Sequence, residues 1–200
     1  MAEPQPPSET GRIEAFSDGV IAIVITIMVL ELRPPVSSSL GSLLRLWPVL
    51  LAYGLSFLQV GVYWVNHHRL FDRATLATNG LRWSNILWLF AISLIPFGTA
   101  WWGMHPGDPI PTATYMATLL LPALVYPWLA AEVLCNATAE DSNVQHRIQR
   151  RKLYVSVLLY AGGMALAFVE SALSIACTFI VSLLWVLPGG RIDRWFGDRG

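Results

Sequence analysis

The sequence predicts an all-α membrane protein with six transmembrane helices per chain, and three observations carry that prediction. Charged residues make up only 13% of the 200 and hydrophobic ones 54%, with a mean hydropathy of +0.52. A soluble domain carries about 25% charged residues, so the missing charge points to a chain that faces lipid. The apolar residues also fall into long runs separated by short polar or Pro/Gly links, and roughly 20 such residues span a hydrocarbon core of about 30 Å. Nine Trp and six Tyr suit the headgroup layers, where amphipathic rings collect. The net charge is zero, which offers no argument for a nucleic-acid partner. Two distant cysteines, Cys135 and Cys177, form no disulfide framework or CxxC metal pattern.

Residues 1–11 open with a Pro-rich stretch that lacks the basic n-region and cleavage site of a signal peptide. They read as a disordered cytoplasmic tail. A six-helix domain over 12–190 and a basic cytoplasmic tail over 191–200 complete the expected organisation.

The first span runs from about Arg12 to Leu32 and is stopped by Pro34-Pro35. A Ser-rich link leads to the second, about Leu43 to Asn66. A polar turn, NHHRLFDRATLATNGLR, precedes the third, about Trp83 to Trp102, which contains Pro96. The link MHPGDPIPT is a Pro/Gly turn. The fourth span, about Ala113 to Leu134, contains Pro122 and Pro127, breaks that neighbouring helices can re-satisfy. The last apolar stretch, Leu153 to Leu187, has 35 residues. One helix of that length would measure about 52 Å, too long for a single span, and Glu170 falls at its midpoint. A hairpin of two short helices is therefore expected, ended by Pro188-Gly189-Gly190.

Charge placement supports six crossings. With the N-terminus inside, the inner segments carry Arg12; Arg69, Arg73 and Arg82; Arg147, Arg150, Arg151 and Lys152; and Arg191, Arg194 and Arg199. Only Arg33 and Arg45 of the 13 basic residues fall outside, as the positive-inside rule requires. Both termini are then cytoplasmic, in a multi-pass protein of the cell membrane. Five crossings would put the last three arginines outside. No repeat of spans one to three is visible in spans four to six.

Asp18 is the residue that composition does not explain, because an ionisable group inside a membrane helix marks a functional site by default. It lies near the inner end of span one. Trp64, Asn66, His67 and His68 at the end of span two, and Arg82, Ser84 and Asn85 at the start of span three, share its depth. Arg12, Ser17 and Asp18 are expected to meet these groups across helices in one polar layer. That layer either only locks the bundle or serves transport. His67-His68 with Asp72 lacks a third strong ligand for a metal. Hydrogen bonding at the membrane boundary is the expected role, with pH sensing as the alternative. Farther along span one, Gly19, Ile23, Thr26, Ile27 and Leu30 recur at three and four and form one stripe. It reads as a packing seam or as a pore lining. Thr26, the lone core hydroxyl, is expected to bond a carbonyl four residues back. Glu31 is a solvated helix end or an acidic outer mouth. Asn136-Ala137-Thr138 matches a glycosylation acceptor but falls on the inner side. The cluster Arg147 to Lys152 is a topology signal that can also touch anionic lipid. No GxSxG, Walker loop, HExxH, GxGxxG or T-V-G-Y-G filter occurs, so no enzyme chemistry is supported.

RIEAFSD, Arg12 to Asp18, resembles the R-x-x-x-F-S-D signature of the transmembrane protein 175 family of lysosomal and prokaryotic potassium channels. VYWVNHHRLF (Val62 to Phe71) and WSNILWLFAISLIPF (Trp83 to Phe97) resemble the family's second and third helices. The likeness is strongest over the first half of the chain. It implies a homotetramer in the lipid membrane, with helix 1 of each subunit lining a central pore that has no pore loop. The matching pore positions are Ile23 as the narrowest ring, then Thr26 and Leu30, with Ile27 beside them. Arg12, Phe16, Ser17 and Asp18, with His67, His68 and Asn85, correspond to the network that holds the inner end of the helix. The two prolines of the fourth span depart mildly from the pattern. The expected function is a potassium-favouring channel for monovalent cations, with potassium as permeant and no resident cofactor. The alternatives are a proton-coupled secondary transporter using Asp18 and His67/His68, and an assembly protein held by its polar layer.

Overall fold

The computed structural model describes residues 8–135 and 143–186. Among the described residues there are eight α-helices and no strand: α1 Glu9–Leu30, α2 Leu40–Leu44, α3 Trp47–Phe71, α4 Asn79–Ser93, α5 Ile95–Met104, α6 Pro109–Leu134, α7 Asn143–Leu166 and α8 Ser171–Val186. The Pro188–Gly190 stop, the basic tail, the Asn136-Ala137-Thr138 triplet and the first seven residues of the predicted N-terminal tail lie outside the described residues.

The helix α1 begins at Glu9 rather than Arg12, because Ser8 caps it. The Ser8 Oγ accepts from the Gly11 N–H at 3.1 Å, satisfying one of the orphan donors of the first turn. Residues 8–11 are thus cap and first turn rather than tail. The Ser-rich link holds one extra turn, α2, capped by Ser39. The second span then starts at Trp47 with Pro48 in its first turn, where a missing N–H costs nothing.

That span continues past Asn66 to Phe71. His67, Leu70 and Phe71 are buried, so a stretch that reads as polar turn is helix packed on its neighbours. The third span likewise starts early, at Asn79, behind a Thr78 cap. It divides at Leu94, because Pro96 has no N–H for the Ile92 carbonyl. The parts α4 and α5 follow one another as a single apolar stretch of 26 residues. The fourth span, α6, runs through Pro122 and Pro127. Beside Pro122, the Tyr63 hydroxyl donates to the Leu119 carbonyl at 2.5 Å, supplying an interhelical bond next to the turn that the ring disturbs.

The last stretch is a hairpin that turns between Leu166 and Ser171, through Glu170. Four stretches among the described residues are long and apolar enough to cross a membrane: α1, α3, α4–α5 and α6. The helix α8 is apolar but has 16 residues, about 24 Å. The helix α7 carries Arg150, Arg151 and Lys152 before its apolar half.

At the centre of the bundle stand α3 and α6. To one side, α1 packs on α3, α4 and α5; to the other, α7 and α8 pair with each other against α6. Trp88, Tyr115, Leu119, Leu129 and Tyr160 are fully buried between these layers. Small residues let α5 approach closely. A Cβ on Gly98 would stand 2.5 Å from the Thr118 hydroxyl, and one on Gly103 would stand 3.2 Å from the Val49 Cα. Inside, the Ser56 hydroxyl meets Thr99 Oγ1 at 2.7 Å and Tyr115 Oη at 3.1 Å. Such bonds join helices where lipid offers no hydrophobic contrast.

The start of α1, the end of α3 and the start of α4 meet at one end of the bundle, which carries Arg12, Arg69, Arg73 and Arg82. Arg33 and Arg45 flank helix ends at the opposite side.

Candidate functional site

The helix α1 has two unlike faces. Ser17, Ile21, Val24 and Met28, at helical spacing, are buried against the bundle. The face behind them is uncovered. Gly19 and Thr26 are exposed, Ile23 is 58% exposed, Ile27 42% and Leu30 76%. Only 22% of the most apolar window of α1 is buried inside the chain, against 44% for α3 and 56% for α4–α5. The apolar stripe is therefore turned away from the subunit's own core.

Side-chain bonds at the basic end fix which face turns out. The Ser17 hydroxyl donates to the Ile13 carbonyl at 2.8 Å and accepts from Asn85 Nδ2 at 2.9 Å. Asn85 Oδ1 meets His67 Nε2 at 2.8 Å. A carbonyl oxygen only accepts, so Nε2 carries a proton. The imidazole is clamped between Phe71 and Trp88, with ring centroids at 4.3 and 4.8 Å. One chain of bonds thus ties α1 to α4 and α3. All three of its side chains are buried, which makes each bond costly to leave unmade.

A second set of contacts lies nearer solvent. Asp18 Oδ1 accepts from the Trp64 indole N–H at 2.9 Å. His68 Nδ1 meets Glu14 Oε1 at 2.7 Å, and Arg82 donates to Glu9 Oε2 at 3.0 Å. The acidic residues of α1 are therefore each held by a donor on α3 or α4. Glu9 was hidden in what reads as tail. Glu14 and Asp18, four apart, mark one side of the helix in the sequence itself.

Other expected members stand apart. Arg12 is expected to pair across helices, but its side chain makes no hydrogen bond or ion pair among the described residues. It lies with Phe16, Arg82 and Ile86 along an open groove of about 400 Å³ between α1 and α4. Phe16 is exposed. The reason is angular, since Arg12 and Phe16 lie about 140° and about 100° round α1 from Ser17. Asn66 and Ser84 bond carbonyls of their own helices. His68 is engaged by Glu14 rather than by Asp72. Among the described residues no group of three His, Cys, Asp or Glu side chains is placed to hold a metal.

Thr26 donates to the carbonyl of Ile23, three residues back rather than four, at 2.9 Å. With its proton turned into the helix, the hydroxyl oxygen offers its lone pairs outward, as an acceptor. Glu31 is exposed just past the last turn. The outer face of α1 is thus an apolar surface carrying the Thr26 oxygen and an acidic residue at its far end.

Residues 12–96 match the family described as endosomal/lysosomal potassium channel TMEM175. A potassium channel of a Chryseobacterium species is 40% identical over 185 residues, covering 92% of this chain and 96% of the relative. A potassium channel of Chamaesiphon minutus is 34% identical, covering 94% and 98%. The human endosomal/lysosomal proton channel TMEM175 is 28% identical, over 84% of this chain and 37% of the human protein. In structure, the chain superposes on a lysosomal potassium-selective channel TMEM175 homolog from Chamaesiphon minutus. The TM-score is 0.71 at 32% identity, covering 90% of this chain and 97% of that one.

Proposed function

This chain belongs to the TMEM175 family, and from that premise we propose that it is a potassium-favouring cation channel whose pore is lined by the outer face of α1. The observation that carries this reading is the contrast between the two faces of α1. One face is bonded at three levels to α3 and α4, and the other is apolar and uncovered. A single stripe encloses no path, so copies must bring their stripes to a common axis. The family resemblance makes that number four, and six crossings per subunit, counting α7 and α8, keep both termini inside.

In this arrangement the Ile23 side chains form the constriction, which gates by dewetting. The Thr26 oxygens receive a partly hydrated cation next to it, and Leu30 with Ile27 continues the wall. Glu31 raises the cation concentration at the outer mouth. Discrimination is modest, because hydroxyls in one ring replace less of the hydration shell than stacked carbonyls do. The Ser17–Asn85–His67 chain, with Asp18 and Glu14, sets the rotation of α1 and so the aim of the stripe. Arg12 and Phe16, whose side chains find no polar partner among the described residues, face a neighbouring copy.

A proton-coupled transporter using Asp18 and the histidines is less well supported. Asp18 is held by an indole, which donates its N–H but does not relay protons. His68 belongs to a separate pair with Glu14. Flux into liposomes tests the reading. Potassium should move down its gradient, driven by potential alone, with no pH difference imposed. Flux that vanishes when the proton gradient is collapsed would overturn it. Protons are the second ion to measure, because the human relative is named for them.

A further inference from the structure

At the basic end, away from α1, a second feature stands apart from the proposed pore. A cleft of about 300 Å³ opens between the end of α3, the last turns of α6 and the first half of α7. It is lined by three guanidinium groups, Arg69 from α3, Arg73 from the turn that follows it and Arg150 from α7. Arg150 lies 3.4 Å from the hydroxyl of Tyr154, which also lines it. Among the described residues no carboxylate lines the cleft. The floor is Pro127, Ala131, Leu134 and Leu153. Small and ring-closed side chains of α6 leave the space that a larger residue would fill.

Cationic donors above an apolar slot match one kind of ligand: an anion carrying a hydrocarbon chain. Guanidinium forks suit phosphate oxygens. The slot opens on the flank of a membrane helix bundle, at its basic end, which meets the anionic inner leaflet. A soluble phosphate would use the rim and leave the slot bare. We infer that this cleft is a binding site for an anionic phospholipid, with its phosphate on Arg69 and Arg150 and an acyl chain over Ala131 and Leu134. The site is distinct from the ion path and requires only that the chain sit in a membrane.

The probe is phosphatidylglycerol against phosphatidylcholine of the same acyl chains, mixed equally in nanodiscs. The readout is the lipid retained by the purified full chain, by native mass spectrometry. The wild-type chain should retain phosphatidylglycerol on the order of tenfold over phosphatidylcholine. The pair Arg69→Gln and Arg150→Gln should bring the ratio close to one, while Arg45→Gln, at the opposite end, should leave it unchanged. Should the double variant not fold, Ala131→Trp carries the test: it fills the slot, keeps every charge and should also abolish the preference. Equal retention of both lipids by the wild type, or a preference that survives the Arg69/Arg150 and Ala131 changes, overturns the site. Thermal stabilisation by inorganic phosphate alone, equal to that by phosphatidylglycerol, overturns the lipid assignment in favour of a soluble anion. None of these readouts uses ion flux, so the pore reading and the lipid site can fail separately.

Discussion

Asn85→Ala should loosen α1 from the bundle, and the size of the effect follows from the bonds it breaks. Asn85 donates to Ser17 and accepts from His67 at 2.9 and 2.8 Å. Side-chain bonds between membrane helices average about 0.6 kcal/mol, so two lost bonds set a floor near 1 kcal/mol. The buried His67 N–H then has no acceptor, and an orphaned donor costs about 1–3 kcal/mol. Its other ring nitrogen, Nδ1, has no partner among the described residues, so moving the proton there recovers no bond. A loss of about 2 kcal/mol is expected. At roughly 2–4 °C per kcal/mol for a chain of this length, the midpoint falls by about 4–8 °C. His67→Phe keeps the stack on Phe71 and Trp88 but removes the donor. In that background Asn85→Ala should cost clearly less. Thermal unfolding of the four purified proteins, followed by tryptophan fluorescence, gives the coupling. Additivity within about 0.5 kcal/mol would refute a shared network through Asn85.

Further consequences concern the outer face of α1 and the close contacts. Ile23→Ala should widen the constriction, raising single-channel conductance and lowering discrimination among monovalent cations in planar bilayers; unchanged values would remove Ile23 from the pore. Thr26→Val keeps the shape but deletes the oxygen, so reversal potentials under mixed potassium and sodium should shift toward equal permeability while conductance persists. Asp18→Asn weakens the acceptor for Trp64. It should cost about 1 kcal/mol, a midpoint lower by roughly 2–4 °C, with ion preference intact, measured by melting and reversal potential together. Gly98→Val drives a side chain into Thr118. Overpacking costs about 1–3 kcal/mol, visible as a lower melting midpoint and reduced yield.

Much of this arrangement was legible in the residues, for physical reasons that also mark the limits. The hairpin followed from length and from Glu170 at the midpoint, since a largely apolar stretch of 35 residues exceeds one bilayer. The polar layer was legible because Ser17 and Asp18 are out of place in an apolar helix. Its pairings were not, because several donors lie at one depth. Asp18 takes an indole, while His68 and Arg82 go to Glu14 and Glu9. Periodicity found the stripe of Ile23, Thr26 and Leu30 but not its direction, because the sides of α1 that face the core and that face away from it are equally apolar. What orients the helix is Ser17, bonded inward through Asn85, together with Asp18 and Glu14, held by α3. The end of α3 was misread for the opposite reason. HHRLF has turn-like polarity, yet Trp88, distant in sequence, buries His67 and keeps the segment helical.

The central claim is that the face of α1 opposite Ser17 meets water along an ion path. Cysteine scanning of α1 tests it, in a background with Cys135→Ser and Cys177→Ala. A charged, membrane-impermeant thiol reagent reacts only where water reaches. Ile23→Cys, Thr26→Cys and Leu30→Cys should be modified during potassium flux, and modification should block it. Ile21→Cys and Met28→Cys on the buried face, and Val29→Cys on the exposed flank beside the stripe, should not react. Block at Ile21 or Met28, or silence at all three stripe positions in a conducting channel, would contradict the account.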